Sequence, residues 1–243
     1  MAAHAMHLRV ADSLGRRIAN DDLPVGSVLS IAGIEAEHGV SRTVAREAMR
    51  LLESLGMIKA RRRVGLIVAD QADWNVLNPR VIEWRLDGSG RAEQLQSLAE
   101  LRIAVEPTAA RLAAEHASDS QRTDLVMLAE RLREMGNRRL GTTREYLMTD
   151  VRFHQTLLRA SGNEMLAALE GVVEAVLVGR TRLGFTPDLP LAEVLDHHDA
   201  TARAVMQRMP EAAEVCCRSL VTRVRREIAS VGLEGRDDLM PEW

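Results

Sequence analysis

The 243-residue sequence has no uninterrupted apolar run approaching the roughly 18 residues of a membrane span. Its start, Met1-Ala-Ala-His-Ala-Met-His-Leu-Arg9, lacks a charged segment followed by an apolar block. No secretory signal is therefore expected, and the chain is expected in the cytoplasm, away from membranes. Its two cysteines, Cys216 and Cys217, are adjacent and make no disulfide framework. Aromatic residues are only 2% of the chain, yet hydrophobic residues reach 46%, enough for a core in one large domain or two ordinary ones. There is no excess of positive charge either. With 32 basic against 35 acidic residues a uniformly basic coat is excluded, and any nucleic-acid contact must come from a local patch.

Such a patch is present. Residues 1–70 hold 10 Lys and Arg against 8 Asp and Glu, whereas the remainder holds 22 against 27. Arg42, Arg46, Arg50, Lys59, Arg61, Arg62 and Arg63 crowd one short stretch that contains only Glu47 and Glu53 as acids. A basic cluster in an otherwise acidic chain suggests two jobs on two domains; the plain alternative is a solvated helix face followed by a basic turn.

Local signals place a boundary near residue 70. Leu8–Ala19 reads as an amphipathic helix, ended by the Leu23-Pro-Val-Gly26 turn. Ser30 is positioned to cap a short helix that stops at Gly39, and Ser41 to cap another that runs to Leu55 and stops at Gly56. Met57–Ala60 and Leu66–Ala69 read as the arms of a hairpin around Arg61-Arg62-Arg63-Val64-Gly65. Beyond residue 70 the periodicity is helical, with helices expected over 73–86, 91–116, 119–136, 142–161, 163–183, 190–208 and 211–231. The expected domains are 1–70, a linker helix in 71–90, and a helical domain over 91–235.

On the third helix Val44, Ala48, Leu51, Leu52 and Leu55 form a stripe about 80° wide at 100° per residue. Arg42, Arg46 and Arg50 project from the other side, beside Thr43. Three arginines on one exposed face suit phosphates or the guanine edge in a major groove. The order helix, short helix, helix, basic hairpin is that of a winged helix-turn-helix.

The segment Val40-Ser-Arg-Thr-Val-Ala-Arg-Glu-Ala-Met-Arg-Leu-Leu-Glu-Ser-Leu-Gly-Met-Ile58, followed by a basic wing and glycine, resembles the recognition-helix signature of the GntR transcription regulators. The resemblance implies DNA contacts from Ser41, Arg42, Thr43 and Arg46, with Arg62 and Gly65 in the wing; Arg50 joins them as the third arginine of the face. Where that family usually has Leu-Pro-Ser-Glu-Arg, this chain has Leu29-Ser-Ile-Ala-Gly33, without the basic residue. Glu100-Leu-Arg102, Glu106-Pro107, Asp150-Val-Arg-Phe-His154, Ser161-Gly-Asn163 and His198 resemble the FadR-type effector domain, called FCD. The implied fold is mainly α, a winged helix-turn-helix followed by an all-helical antiparallel bundle. Trp74-Asn-Val-Leu and Val81-Ile-Glu-Trp84 are most similar to the galactonate-responsive repressors within the family.

Several polar residues fall on apolar stripes of the expected bundle. Arg102 lies about 40° from Leu98, within the stripe of Val105, Ala109 and Leu112. A buried guanidinium needs a partner, either Glu106 one turn on or the carboxylate of a ligand. His154 lies in the stripe of Leu147, Val151 and Leu158, with Asp150 on its edge; residues at i and i+4 share a face and can chelate one cation. His198 lies in the stripe of Val194 and Val205, with His197 off to the side. Each of these is also consistent with a satisfied core polar residue. Arg180, among Leu166, Val173 and Leu177, is a further candidate for an acidic ligand or a bundle-end ion pair.

The resemblance implies that Asp150, His154 and His198 hold zinc, nickel or manganese, and that the metal coordinates an organic-acid effector whose carboxylate meets Arg102. A further histidine that the family often carries corresponds here to Leu220. The expected partners are operator DNA, a small carboxylate metabolite (a sugar acid such as galactonate favoured) and a second copy of the chain. The expected protein is a ligand-responsive regulator, a repressor rather than an activator. The competing reading is a metal-dependent hydrolase using the Asp/His cluster. It lacks a nameable general base, a Gly-rich phosphate loop and a Ser-His-Asp set.

Overall fold

The computed structural model describes residues 2–232, with side chains for residues 6–226. Residues 233–235 of the expected helical domain lie outside the described residues. The chain divides into two compact units after Gln94.

The first unit begins with α1 (Ala2–Ala19), a short β1 (Val28–Leu29), α2 (Ile31–His38) and α3 (Arg42–Ser54). Both short helices start and stop where the sequence places their caps. Ser30 Oγ accepts from Gly33 N at 3.0 Å and Ser41 Oγ from Val44 N at 3.4 Å, each satisfying an orphan amide. Gly56, at φ 73°, follows α3 in the left-handed region; a Cβ there would lie 2.1 Å from the Asp73 carbonyl oxygen. Next come β2 (Ile58–Arg61) and β3 (Gly65–Val68), antiparallel with Lys59 opposite Ile67 and Arg61 opposite Gly65. β1 adds to the other edge of β3, giving the order β1-β3-β2. At two residues, β1 is too short to show alternation in sequence.

The helix expected over 73–86 is shorter. A 3-10 turn (Gln71–Asp73) and an extended stretch precede α4 (Pro79–Leu86), because a residue before proline is driven out of the helical region and Asn78 sits at ψ 128° as the cap. α4 is also no free linker. Trp84 is fully buried in the core of the first unit with Leu14, Leu52 and Met57, and its Nε1 donates to Asp12 Oδ1 at 3.2 Å. Arg80 Nη1 pairs with the same oxygen at 2.9 Å. Gly15 lets α1 approach this closely, since a Cβ there would lie 2.5 Å from the Trp84 ring.

The second unit is all helical: the greater part of α5 (Arg91–His116), then α6 (Asp119–Asn137), α7 (Arg144–Ala160), α8 (Glu164–Ala167), α9 (Glu170–Arg182), α10 (Ala192–Met206) and α11 (Pro210–Gly232). The helix expected over 163–183 is thus two, interrupted at Ala168–Leu169. α10 packs on α6 and α11, α6 on α7, and α7 on α9. The core is Leu125, Leu132, Phe153, Leu157 and Val205, with Val151, Leu158, Val173 and Leu177 beside it. Pro107 inside α5 cannot donate to the Ile103 carbonyl one turn back, and Arg218 Nη1 of α11 donates to that oxygen at 3.4 Å.

Candidate functional site

Two sets of side chains carry chemistry, one in each unit. On α3, burying Val44, Ala45, Ala48, Met49 and Leu52 turns the opposite face outward, and Ser41, Arg42, Thr43, Arg46 and Arg50 are all exposed. Leu51, expected in the stripe, is only half-buried, and Ala45 and Met49 complete it instead. Arg50 is tied to Glu47 at 2.7 Å, which leaves Arg42 and Arg46 the less encumbered cations of this face. In the wing Arg61, Arg62, Arg63 and Gly65 are exposed. Gly65 adopts φ 112°, a conformation that side chains resist, so glycine is required at the return of the hairpin.

The second set is buried. Asp150 and His154 come from adjacent turns of α7, His198 from α10, Arg102 and Glu106 from α5, and Arg180 from the end of α9. Each is at least nine-tenths buried. Asp150, His154 and His198 each offer one ligand atom, all within 4.8 Å of one another.

The hydrogen bonds of the two imidazoles decide which nitrogen faces Asp150. His198 Nδ1 lies 2.8 Å from the Val194 carbonyl oxygen, which can only accept, so Nδ1 carries the proton. His154 Nδ1 lies 2.7 Å from Glu106 Oε2 and donates to it in the same way. Both Nε2 atoms are thereby turned toward Asp150 Oδ1, at 3.2 Å from His198 and 3.4 Å from His154. Outer partners that fix the tautomer of each histidine are the usual supports of a metal site.

Charge is strongly coupled here. Burial opposes ionisation of Asp150, but the facing His154 and His198 side chains outweigh it and hold the carboxyl well below its usual range. Burial likewise opposes the Glu106 carboxylate, yet Arg102 and His154 draw it down to about 2. His154 is disfavoured as a cation by burial and by Arg102, but Glu106 and Asp150 prevail and raise it. Arg102 spans both Glu106 oxygens through Nε and Nη2, the latter at 3.2 Å, so it has the internal partner left open by the sequence, and the same Nη2 lies 3.2 Å from His154 Nε2. Arg180 Nη2 is 3.7 Å from Asp150 Oδ2.

Arg102, Tyr146, Asp150, His154, Arg180 and His198 line one small cavity, closed on other sides by Leu177, Val194, Leu220 and Val224. Leu220 occupies the place of the further histidine, and among the described residues α11 brings no ligand to the cluster. Cys217 is no substitute: burial, and then the neighbouring Glu106, push its thiol well above the ordinary range. Sequence reading missed Tyr146, which sits one turn before Asp150 on the same face of α7. Spacing at i and i+4 holds the signal that would have found it.

The family model of the FCD domain matches residues 97–223, and that of the bacterial regulatory proteins of the gntR family matches residues 7–68. The chain belongs to the GntR family, with an FCD domain. Its similarity extends over most of the length of individual members. The galactonate operon transcriptional repressor of Escherichia coli (strain K12) is 28% identical over 92% of this chain and 96% of its own. A probable D-xylose utilization operon transcriptional repressor of Paenarthrobacter nicotinovorans is 26% identical over 85% of this chain and 81% of its own. Among solved structures, the Listeria monocytogenes protein Lar, described as controlling expression of the agr system, superposes with a TM-score of 0.57. It covers 93% of this chain and 97% of its own at 17% identity, a likeness of fold. This GntR-family chain is therefore a ligand-responsive DNA-binding transcription regulator and not an enzyme, and the hydrolase reading is set aside.

Proposed function

We propose that the protein is a repressor that binds its operator as a homodimer in the cytoplasm and responds to a small organic or sugar acid taken up in the cavity of the FCD domain. Asp150, His154 and His198 would hold a divalent metal, zinc, nickel or manganese, which when bound supplies a Lewis-acidic anchor for the acid's oxygens. One observation carries this reading. Both imidazoles commit Nδ1 to an acceptor and aim Nε2 at one buried carboxylate, a donor set of two nitrogens and an oxygen that leaves positions open for exchangeable ligand. A sugar acid is favoured by the 28% identity to the galactonate operon repressor.

On the DNA side, Ser41, Arg42, Thr43, Arg46 and Arg50 of the recognition helix would enter the major groove, with Arg62 and Gly65 of the wing against the backbone. Two copies would meet successive half-sites of a near-palindromic operator. The acid alters operator affinity only in so far as it binds one arrangement of the DNA-binding units better than another.

Two measurements test this. Thermal melts of the full-length protein with zinc, nickel or manganese should show stabilisation of about 2.7 kcal/mol at a hundredfold excess over the dissociation constant. Chelator or His154→Ala should remove it. Melts unmoved by every metal would sink the metal site. In the second, Arg46→Ala should weaken operator binding by about 1–3 kcal/mol per half-site contact, with metal stabilisation unchanged. Wild-type affinity in a gel-shift titration would count against the recognition-helix assignment.

A further inference from the structure

Two arginines line the cavity, and their surroundings differ. Arg102 is 4% exposed, and its fork is filled by Glu106, a carboxylate that is itself 0% exposed. Displacing Glu106 would strand its charge in the interior, with only His154 for company. Arg180 is 6% exposed and has no such occupant. Its approach to Asp150 Oδ2, at 3.7 Å, is beyond hydrogen-bond range, and its Nε is buried with no hydrogen-bond partner among the described residues. Asp150 offers Arg180 only Oδ2, at that distance, since Oδ1 faces both His154 and His198. A planar guanidinium lining a polar cavity, with Nε unmet and Nη2 held only loosely, matches the two oxygens of a carboxylate.

We infer that Arg180, rather than Arg102, is the residue that receives the carboxylate of the acid, while Arg102 is a positioning residue that, through Glu106, holds the His154 ring. The inference rests on the reading of the cavity as a metal-assisted acid site. It adds which end of the cavity the anionic group occupies: the α9 side.

The test uses the full-length protein loaded with zinc and titrated with D-galactonate, lactate, glycolate and malonate, with neutral D-galactose as the uncharged control. The variants are Arg180→Met and Arg180→Lys. Wild type should be stabilised by at least one acid and not by D-galactose. Arg180→Met should weaken that acid at least about tenfold, as expected for losing hydrogen bonds to a charged group, and Arg180→Lys should weaken it less. Without acid, Arg180→Met should bind zinc and melt no lower than wild type, because it removes a buried cation whose Nε is unmet and whose carboxylate partner is 3.7 Å away. The inference is overturned if Arg180→Met keeps wild-type acid affinity, or if it melts well below wild type without acid as a broken structural ion pair would. A wild-type protein that binds zinc but responds to none of the acids would overturn the acid-site reading and this inference with it. If Arg180→Met does not fold, Arg180→Lys decides, since unaltered acid affinity there places the carboxylate elsewhere.

Discussion

Replacing Arg122 with alanine is expected to destabilise the helical unit by about 3–5 kcal/mol, lowering its melting temperature by on the order of 10 °C. Arg122 lies on α6 and is 2% exposed. Among the described residues its guanidinium makes no ion pair. It donates instead to three main-chain oxygens: Nε to Ala117 at 3.1 Å, Nη2 to Ala114 at 3.1 Å and Nη1 to Val205. Ala114 and Ala117 are at the end of α5, and Val205 is in the last turn of α10. Carbonyls at a helix end form the negative pole of the helix dipole and are left over by the ladder of the helix, although the Val205 oxygen also accepts from the Arg208 amide at 3.2 Å. One cation thus closes two helix ends. Alanine would leave two buried acceptors, the Ala114 and Ala117 oxygens, without a partner, at about 1–3 kcal/mol each before relaxation or entering water, while Val205 keeps the Arg208 amide. Arg122→Lys, with one compact ammonium in place of a planar fork, should recover part of the loss. A loss below 1 kcal/mol in a denaturant titration would show that water or relaxation replaces these bonds.

Nothing in the sequence reading pointed to Arg122, although it is three residues before Leu125 and seven before Ala129, on the apolar stripe of its helix. The same criterion found Arg102, Arg180, His154 and His198, each of which is buried. Stripe position reports burial but not partner. Glu106 was legible as a partner of Arg102 because it lies one turn away, whereas Val205 is 83 residues from Arg122 and the Glu106–His154 bond joins separate helices. The DNA-binding unit was easier to read because its signals are local: Ser30, Ser41, Gly39 and Gly56 each act within a few residues of themselves. Where the unit depends on distant contact, reading failed. The docking of α4 through Trp84 and Asp12 makes segment 71–90 part of the first unit, and only the small size of Gly15 hints at it.

Breaking the Arg102–Glu106 pair from one side only should cost about as much as losing Arg122. Glu106→Leu would leave Arg102 buried beside His154, with about 3–5 kcal/mol lost. Arg102→Met would strand the Glu106 carboxylate, which His154 alone then faces. The double variant Arg102→Met/Glu106→Leu should regain most of the loss, because well-packed apolar side chains of similar volume replace buried ion pairs at little cost. The pH dependence follows from the two partners of Glu106. Its pKa is held at about 2 against an ordinary 4.5, so the stability it contributes is complete above about pH 4.5 and is lost as pH falls through about 2. His154 is raised above its ordinary 6.5, so its contribution in metal-free protein is present below that value and is lost as pH rises through the raised one. Metal-free wild type should therefore weaken on both sides, whereas the double variant should show a shallower acid limb. The alkaline limb should survive in the double variant only to the extent that Asp150 alone keeps His154 charged. An unchanged acid limb in the double variant would mean that carboxylates other than Glu106 govern acid unfolding. Metal at Asp150, His154 and His198 requires His154 to release that proton, so metal affinity should fall below neutral pH while the apo protein holds its fold there. Glu106 would thus do two opposed things: its bond to Nδ1 would hold the His154 ring for a metal, and its charge, with that of Asp150 and against that of Arg102, favours a proton in the metal's place.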